Sequence, residues 1–317
     1  MKLTDIKTIT NVGAGTMGHA TALQFALAGY PVRLYDHSMA GLQRGQKAIE
    51  HDLTTFQEAG LLSEEPTTIL ARITPTTDLA AACRDSDFVI ESIVEDQQVK
   101  QAVWQEIEGQ VGPETVLATN TSGLSPTALQ SVLKHPARFV VAHFWNPAQL
   151  MPLVEVVPGK DTSPETVDLT VALMNKIGKH AVPLKKEALG FVGNRIQLAV
   201  LREAFHIVDA GIASPAAVDD IIKYSLGRRW NLVGPIASAD LGGLDVFKNI
   251  SAYLYADLAN NTGTDPTLAK LVDRGKLGLK SGQGFYDWQG DAGQQVVADR
   301  DRELLTQLKH DQEKKER

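Results

Sequence analysis

A glycine-rich turn near the N-terminus constrains the fold of this chain more than any other feature. Residues 6–12 alternate with the two-residue period of a strand, the turn Gly13–Gly18 follows, and an apolar helical run continues through Ala28. Gly29 and Pro31 end this helix, and residues 32–36 predict a second strand. Strand, glycine turn, helix and strand together form a βαβ unit of about 30 residues, which requires a parallel sheet.

Short apolar runs then alternate with helical patterns as far as Pro183. They predict strands at 88–90, 116–118, 139–141 and 153–157, and helices at 99–107 and 126–133. Beyond Pro183, apolar residues recur every three or four positions through a long helix, and Ser214 with Pro215 opens another helix. We therefore predict an α/β fold with a doubly wound parallel sheet in residues 1–185 and an all-helical domain in residues 186–317. The charged segment 299–317 is predicted to be a frayed or partly helical tail.

Composition excludes several classes of function. The chain has 317 residues, of which 43% are hydrophobic, so it can bury the cores of two domains. Its net charge of −7 disfavours a nucleic-acid partner, because a polyanion requires a basic face. Without a run of about 18 apolar residues, and with a strand beginning by residue 6, we expect a cytoplasmic protein with no membrane partner. A single cysteine, Cys83, permits no internal disulfide and no cysteine metal cluster, and we predict no metal site.

The turn has the Gly-X-Gly-X-X-Gly pattern of a dinucleotide-binding site. Gly13 would make the tight turn, Gly15 would let a pyrophosphate approach the backbone, and Gly18 would let the helix pack on the strand. Asp36 ends the next strand 23 positions after Gly13, where an acid accepts hydrogen bonds from ribose hydroxyls and repels a 2′-phosphate. This favours NAD over NADP, although a glycine turn without a ligand is the alternative. The cofactor-binding residues predicted here are Gly13, Ala14, Gly15, Thr16, Met17, Gly18 and Asp36.

A nicotinamide cofactor raises the question of which side chain moves the proton. His143 follows the predicted strand 139–142, at the carboxyl end where doubly wound sheets bind ligands. Glu155 lies 12 residues later inside the next apolar strand, where an unpaired carboxylate is costly to bury. If the two pair, Glu155 fixes the imidazole tautomer and raises its proton affinity. Alternatively, His143 is structural and Glu155 faces solvent on an edge strand.

Two further polar positions are candidates for substrate contacts. Asn120 and Ser122 follow the strand ending at Thr119, and Ser122 could bind the substrate oxygen or form an ordinary helix cap. Asn194 begins the long helix and is either a substrate ligand or only its cap.

Six stretches, in order along nearly the whole chain, resemble the short-chain 3-hydroxyacyl-CoA dehydrogenases, including 3-hydroxybutyryl-CoA dehydrogenases. This resemblance implies a Rossmann-type NAD domain, a helical C-terminal domain that forms a homodimer, and a place in fatty acid metabolism. The stretches are Val12–Gly18, Glu91–Glu95, Thr119–Ser122, His143–Pro147 with Glu155, Gly190–Arg195 and Gly282–Tyr286.

The resemblance also implies the chemistry: reversible, NAD-linked oxidation of an (S)-3-hydroxyacyl-CoA to the 3-ketoacyl-CoA. His143 and Glu155 match the catalytic pair, and Ser122 and Asn194 match the ligands of the substrate oxygen. Glu95 matches an acidic residue near the nicotinamide, and we place Asn120 with it among the cofactor-binding residues.

One departure from the family pattern concerns the substrate. The family reads the phosphates of coenzyme A with basic residues on the helical hairpin after the second strand, but residues 48–71 contain no lysine or arginine. The loop 227–230, with Arg228 and Arg229, resembles the lambda-crystallin-like L-gulonate 3-dehydrogenases, and arginine suits a free carboxylate. The alternative to carboxylate binding is that Arg228 and Arg229 are simply a solvated pair. A free 3-hydroxy acid is therefore the alternative substrate, and an NAD-binding protein without turnover is the alternative of another class.

Overall fold

A computed structural model describes residues 1–315 of the chain. It contains one eight-stranded sheet with the strand order β3-β2-β1-β4-β5-β6-β7-β8 and helices on both faces, which confirms the predicted doubly wound fold. The strands are β1 (Ile9–Val12), β2 (Val32–Tyr35), β3 (Ile73–Thr76), β4 (Phe88–Glu91), β5 (Val116–Thr119), β6 (Phe139–Phe144), β7 (Leu153–Pro158) and β8 (His180–Pro183).

The sheet departs from the predicted parallel pattern at one place. Neighbouring strands from β3 to β6 are parallel, β6 and β7 are antiparallel, and β7 and β8 are parallel again. The reversal has a simple cause: residues 145–152 are too short for the crossover of about a dozen residues that a parallel pair requires. The antiparallel register places His143 directly opposite Glu155.

Side chains that cap backbone N–H groups fix where several helices begin. Asp78, Asp96, Ser125, Ser163 and Ser214 each accept a hydrogen bond from an amide in the first turn of the helix that follows. The first helices are α1 (Thr16–Leu27), α2 (Met39–Glu58), α3 (Pro66–Leu70), α4 (Leu79–Cys83), α5 (Gln97–Glu108), α6 (Pro126–Gln130) and α7 (Pro164–Lys176). They are followed by α8 (Gly193–Asp209), α9 (Pro215–Tyr224), α10 (Leu226–Gly242), α11 (Leu244–Leu254), α12 (Pro266–Asp273) and α13 (Ala292–Lys315).

The core lies on both faces of the sheet, and all residues of β1, β4, β5 and β6 are buried. On one face, Phe25 of α1 and Leu173 of α7 belong to a large apolar cluster. On the other face, Trp104 of α5 and Leu129 of α6 belong to a second cluster. This packing holds the strands rigidly, so residues at their carboxyl ends have fixed positions.

The chain divides into two compact units, one of Met1–Val192 with the segment from Asp299 onward, and one of Gly193–Ala298. The predicted boundary between residues 185 and 186 precedes this division, and Phe191 and Val192 still contact residues of β6 and β7. The charged tail predicted to be frayed or partly helical is part of α13. Arg302 and Asp299, one helical turn apart, form an ion pair of 2.8 Å. Residues 316 and 317 lie outside the described part of the chain.

Within residues 1–315, no helix has both the length and the apolar character needed to cross a membrane. The cytoplasmic location stays a prediction.

Candidate active site

The glycine turn leaves the backbone open where a phosphate group would approach. Gly13 has a φ of +103°, and a Cβ atom there would lie 2.5 Å from the carbonyl oxygen of Ser92. A Cβ on Gly18 would lie 1.9 Å from the oxygen of Gly13, so this glycine permits the close packing of α1 on the turn. A Cβ on Gly15 would instead meet no atom within 4 Å.

Gly15 is also the N-cap residue of α1, and it has no side chain to cap the first amides of the helix. Thr16 and Met17 form the first turn of α1, whose N–H groups and dipole favour an anion at this point. The turn therefore fits a dinucleotide pyrophosphate both in space and in charge.

Asp36 lies one residue beyond β2, beside the turn. Its Oδ2 accepts a hydrogen bond of 3.1 Å from the N–H of Ala14, and its Oδ1 accepts bonds of 3.0 and 3.1 Å from the amide and hydroxyl of Ser38. These bonds fix the carboxylate at the edge where a ribose would follow the pyrophosphate. Asp36 thus fits the predicted role of a ribose ligand.

The structure brings His143 and Glu155 together in the first unit. The Nδ1 atom of His143 lies 2.9 Å from Oε2 of Glu155, and the two residues are only 6% and 2% exposed. The sequence pattern places His143 after the strand. In the structure it lies within β6, because this strand continues to Phe144. Contact through Nδ1 leaves Nε2 as the ring nitrogen that can exchange a proton with a substrate.

Glu155 has further partners that fix its carboxylate. Its Oε2 also accepts a hydrogen bond of 3.3 Å from the indole N–H of Trp145, and its Oε1 accepts one of 3.0 Å from the backbone N–H of Val192. The Trp145 ring lies 5.6 Å from the His143 ring, between centroids. These contacts hold both carboxylate oxygens in fixed positions beside the imidazole.

Asn120 supports the strand that carries His143. Its Oδ1 accepts a hydrogen bond of 2.8 Å from the N–H of Phe144, and its Nδ2 donates a bond of 3.2 Å to Ser92 Oγ. Asn120 therefore links the carboxyl ends of β4, β5 and β6. A cofactor contact, as predicted from the sequence, would be an additional role.

Ser122 and Glu95 are in direct contact. Oε1 of Glu95 accepts hydrogen bonds of 2.8 Å from the N–H of Ser122, 3.3 Å from its hydroxyl and 2.5 Å from the hydroxyl of Thr121. Burial raises the pKa of Glu95, but the hydroxyl of Thr121, the charge of Lys100 and the Ser122 amide outweigh it, so that the net shift lowers this pKa. The ionised carboxylate holds the Thr121–Ser122 loop in place.

A buried lysine connects this loop to the sheet. Nζ of Lys100 lies 2.5 Å from Oε1 of Glu91 and 3.5 Å from Oε2 of Glu95. Glu91 is fully buried and also accepts a hydrogen bond of 2.7 Å from Thr119 Oγ1. The ammonium group of Lys100 is therefore shared between a buried carboxylate of β4 and the carboxylate that holds the loop.

The remaining predicted site residues belong to the second unit. Asn194 is the second residue of α8 and is partly buried. Arg228 and Arg229 lie in the first turn of α10 rather than in a loop, because the helix begins at Leu226, directly after Ser225. Both arginines are exposed, and the guanidinium group of Arg228 lies 5.5 Å from the centre of the Tyr224 ring.

Sequence reasoning missed Trp145, Lys100 and the Val192 amide as parts of this arrangement. Trp145 lies in the stretch His143–Pro147, whose resemblance to the family indicates a role for the histidine alone. A lysine in an amphipathic helix gives no signal of burial, because lysine is usually exposed. A backbone N–H carries no residue-type signal at all.

Two family models match the chain. Residues 8–188 match "3-hydroxyacyl-CoA dehydrogenase, NAD binding domain", and residues 190–288 match "3-hydroxyacyl-CoA dehydrogenase, C-terminal domain". A probable 3-hydroxybutyryl-CoA dehydrogenase of Deinococcus radiodurans is 40% identical over 87% of this chain and 98% of its own length. The human lambda-crystallin homologue is 34% identical over 73% of both chains.

A solved structure is similar over almost the full length. It is that of 5-formyl-3-hydroxy-2-methylpyridine 4-carboxylic acid 5-dehydrogenase, described as an NAD⁺-dependent dismutase. It is 32% identical, covers 97% of this chain and 99% of its own, and superposes with a TM-score of 0.91.

Proposed function

The chain belongs to the 3-hydroxyacyl-CoA dehydrogenase family, an NAD-dependent group of oxidoreductases, and from that premise we propose that it oxidises a short-chain (S)-3-hydroxyacyl-CoA reversibly to the 3-ketoacyl-CoA. The observation that carries the proposal is the 2.9 Å contact between His143 Nδ1 and Glu155 Oε2. His143 lies near the carboxyl end of β6, on the same sheet edge as the glycine turn after β1, where doubly wound folds bind their ligands.

In the oxidation direction, Nε2 of His143 takes the proton of the substrate hydroxyl. Glu155 accepts the hydrogen bond from Nδ1–H and stabilises the imidazolium that forms, and burial of both groups strengthens this interaction. Bound NAD supplies the acceptor for the hydride that leaves C3. In the reduction direction, His143 returns the proton to the substrate oxygen.

Ser122 and Asn194 are proposed to bind the reacting oxygen. Donors placed where charge develops in the transition state lower the barrier, by about 2.7–4 kcal/mol each in well-studied enzymes. Glu95 supports this role, because its hydrogen bonds to Ser122 N and Oγ fix the serine at the carboxyl end of β5.

A free hydroxy acid is the second candidate substrate, and specific observations favour it. Residues 48–71 of the region α2–α3 lack lysine and arginine, and Asp52 on α2 is paired with His19 Nε2 at 3.4 Å and with Gln149 Nε2 at 3.1 Å. Residues 48–71 therefore offer no lysine or arginine to the phosphates of coenzyme A. The similar dehydrogenase structure carries the name of a substrate with a free carboxylic acid, which Arg228 or Arg229 is suited to bind.

Oxidation of NADH, followed by its absorbance, separates the candidates. Acetoacetyl-CoA and acetoacetate are offered at equal concentrations, with His143→Gln as the control that lacks the base. Turnover of acetoacetyl-CoA supports the first candidate, and turnover of the free acid alone supports the second. Tight NADH binding without turnover of either compound would indicate a binding protein and contradict the proposed activity.

We also propose that the protein is a homodimer formed through the second unit. No side chain of α8 to α12 is buried in the single chain, and Leu232, Ile236 and Leu241 are 81%, 79% and 77% exposed. Apolar surface of this extent in helices points to a partner surface. Light scattering coupled to gel filtration is expected to give twice the chain mass of 34.3 kDa, and a monomer at micromolar concentration contradicts the proposal.

A further inference from the structure

A strained turn at the end of the first unit lies against the His143–Glu155 pair. Gly190 has a φ of +71°, and Phe191 has a φ of +52°, which is rare for a bulky side chain. The N–H of Phe191 donates a hydrogen bond of 2.9 Å to the carbonyl oxygen of Ala188, which closes the turn. Strain of this kind persists only where the surrounding structure enforces it, and it concentrates at functional positions.

Contacts on both sides enforce this conformation. Upstream of the turn, Glu187 Oε2 accepts a hydrogen bond of 2.7 Å from Ser125 Oγ. The Phe191 ring is 1% exposed and packs in a cluster with Val141 of β6 and Val157 of β7. The segment is therefore anchored upstream at the N-cap of α6, at Phe191 itself against the sheet, and downstream by the bond from Val192 N–H to Glu155.

Two residues of the turn contact the proposed acid/base pair. The ring of Phe191 lies 5.5 Å from the His143 ring, between centroids. The next residue, Val192, donates its N–H to Oε1 of Glu155 at 3.0 Å. Because Oε1 is held in this way, the other oxygen, Oε2, is directed at His143 Nδ1.

We propose that Phe191 and the backbone N–H of Val192 are positioning residues for the His143–Glu155 pair. The strained turn aims the Val192 amide at Glu155, and the Phe191 ring limits the rotation of the imidazole. Neither contact reaches a reacting atom. The catalytic importance of these two contacts rests on the proposed function. Their effect on the geometry of the His143–Glu155 pair does not.

The tautomer of His143 provides a readout that needs no turnover. Held by Glu155, the neutral imidazole carries its proton on Nδ1, which ¹⁵N NMR of the side chain detects. Val192→Pro removes the amide donor and disfavours the positive φ at Phe191. We expect a mixed tautomer population in this variant and a fall in kcat of about 10- to 100-fold, with the Kd for NADH unchanged within twofold.

A second variant keeps the inference testable if Val192→Pro does not fold. Phe191→Ala retains the backbone N–H of residue 192 but removes the ring and leaves alanine at a strained φ. We expect the same mixture of tautomers and a similar fall in kcat. Val157→Ala is the matched control, because it removes buried apolar volume from the same cluster but leaves the Phe191 ring and the Val192 N–H in place.

The outcomes separate this inference from the proposed function. A pure Nδ1–H tautomer and unchanged kcat in a folded variant overturn the positioning role. An equal tautomer change in Val157→Ala also overturns it, because core packing would then explain the effect. If the wild-type protein turns over none of the substrates, the proposed function fails, while the NMR comparison still decides whether the turn orients the pair.

Discussion

His143 and Glu155 face each other in the register of β6 and β7, and a 2.9 Å contact joins their side chains across the two antiparallel strands. Directly opposed residues of an antiparallel pair have Cβ atoms about 4.5–5.5 Å apart, so the strand register alone brings these groups within reach. A pair held by a buried sheet requires little reorganisation when the imidazole becomes charged. The function proposed here depends on this relationship.

Two glycines of the turn are predicted to respond differently to alanine. Gly18→Ala places a Cβ atom against the Gly13 carbonyl, and we expect a loss of unfolding free energy of about 1–3 kcal/mol or more. Gly15→Ala meets no protein atom, so stability is retained while affinity for NADH falls. Urea unfolding and NADH fluorescence titration measure the two effects. Equal stability loss in both variants would contradict the packing role assigned to Gly18.

Asp36 is predicted to set the choice between NAD and NADP. Asp36→Asn keeps the shape of the side chain but removes the charge that binds ribose hydroxyls and repels a 2′-phosphate. We expect the ratio of kcat/KM for NAD to that for NADP to fall by roughly tenfold or more, since hydrogen bonds to charged groups contribute about 1.5–3 kcal/mol. Asp78→Asn, which alters the N-cap of α4, is the control and should leave the ratio unchanged.

Glu95 is predicted to make stability depend on pH on the acid side. Its pKa in the folded protein is lowered below the usual 4.5, so the carboxylate contributes stability above that value and loses the contribution as the pH falls through the folded pKa. The difference in unfolding free energy between the wild type and Glu95→Gln should therefore be present in full at about pH 6 and shrink below the usual pKa. Urea unfolding at a series of pH values measures this difference, and a gap that widens on acidification would show that the sign is wrong.

Features that depend on residues close together in the sequence are predicted better than features that depend on distant residues. The turn at Gly13–Gly18 and the position of Asp36 directly after β2 follow from patterns contained within one βαβ unit, and both lie where the patterns place them. The reversal of β7 was missed, although the short connection of residues 145–152 excludes a parallel crossover.

Other features could not be read from sequence patterns. The burial of Lys100 depends on Glu91 and Glu95, which precede its helix, and no periodicity reports such a pairing. The segment around Arg228 and Arg229 resembles a loop because it contains Gly227, but α10 extends through this glycine. The contact between Val192 and Glu155 involves a backbone group 37 residues away in sequence, so only the folded chain reveals it.

Substitution of His143 by glutamine tests the central claim most directly. His143→Gln keeps a polar side chain of similar size but removes the base, and His180→Gln, an exposed histidine on β8, serves as the control. The measurement is kcat with the substrate that the wild type uses, alongside the Kd for NADH. We predict a fall in kcat of about 10²–10⁴-fold with unchanged NADH affinity for His143→Gln, and wild-type values for His180→Gln. Near-normal kcat in His143→Gln with intact NADH binding would contradict the account.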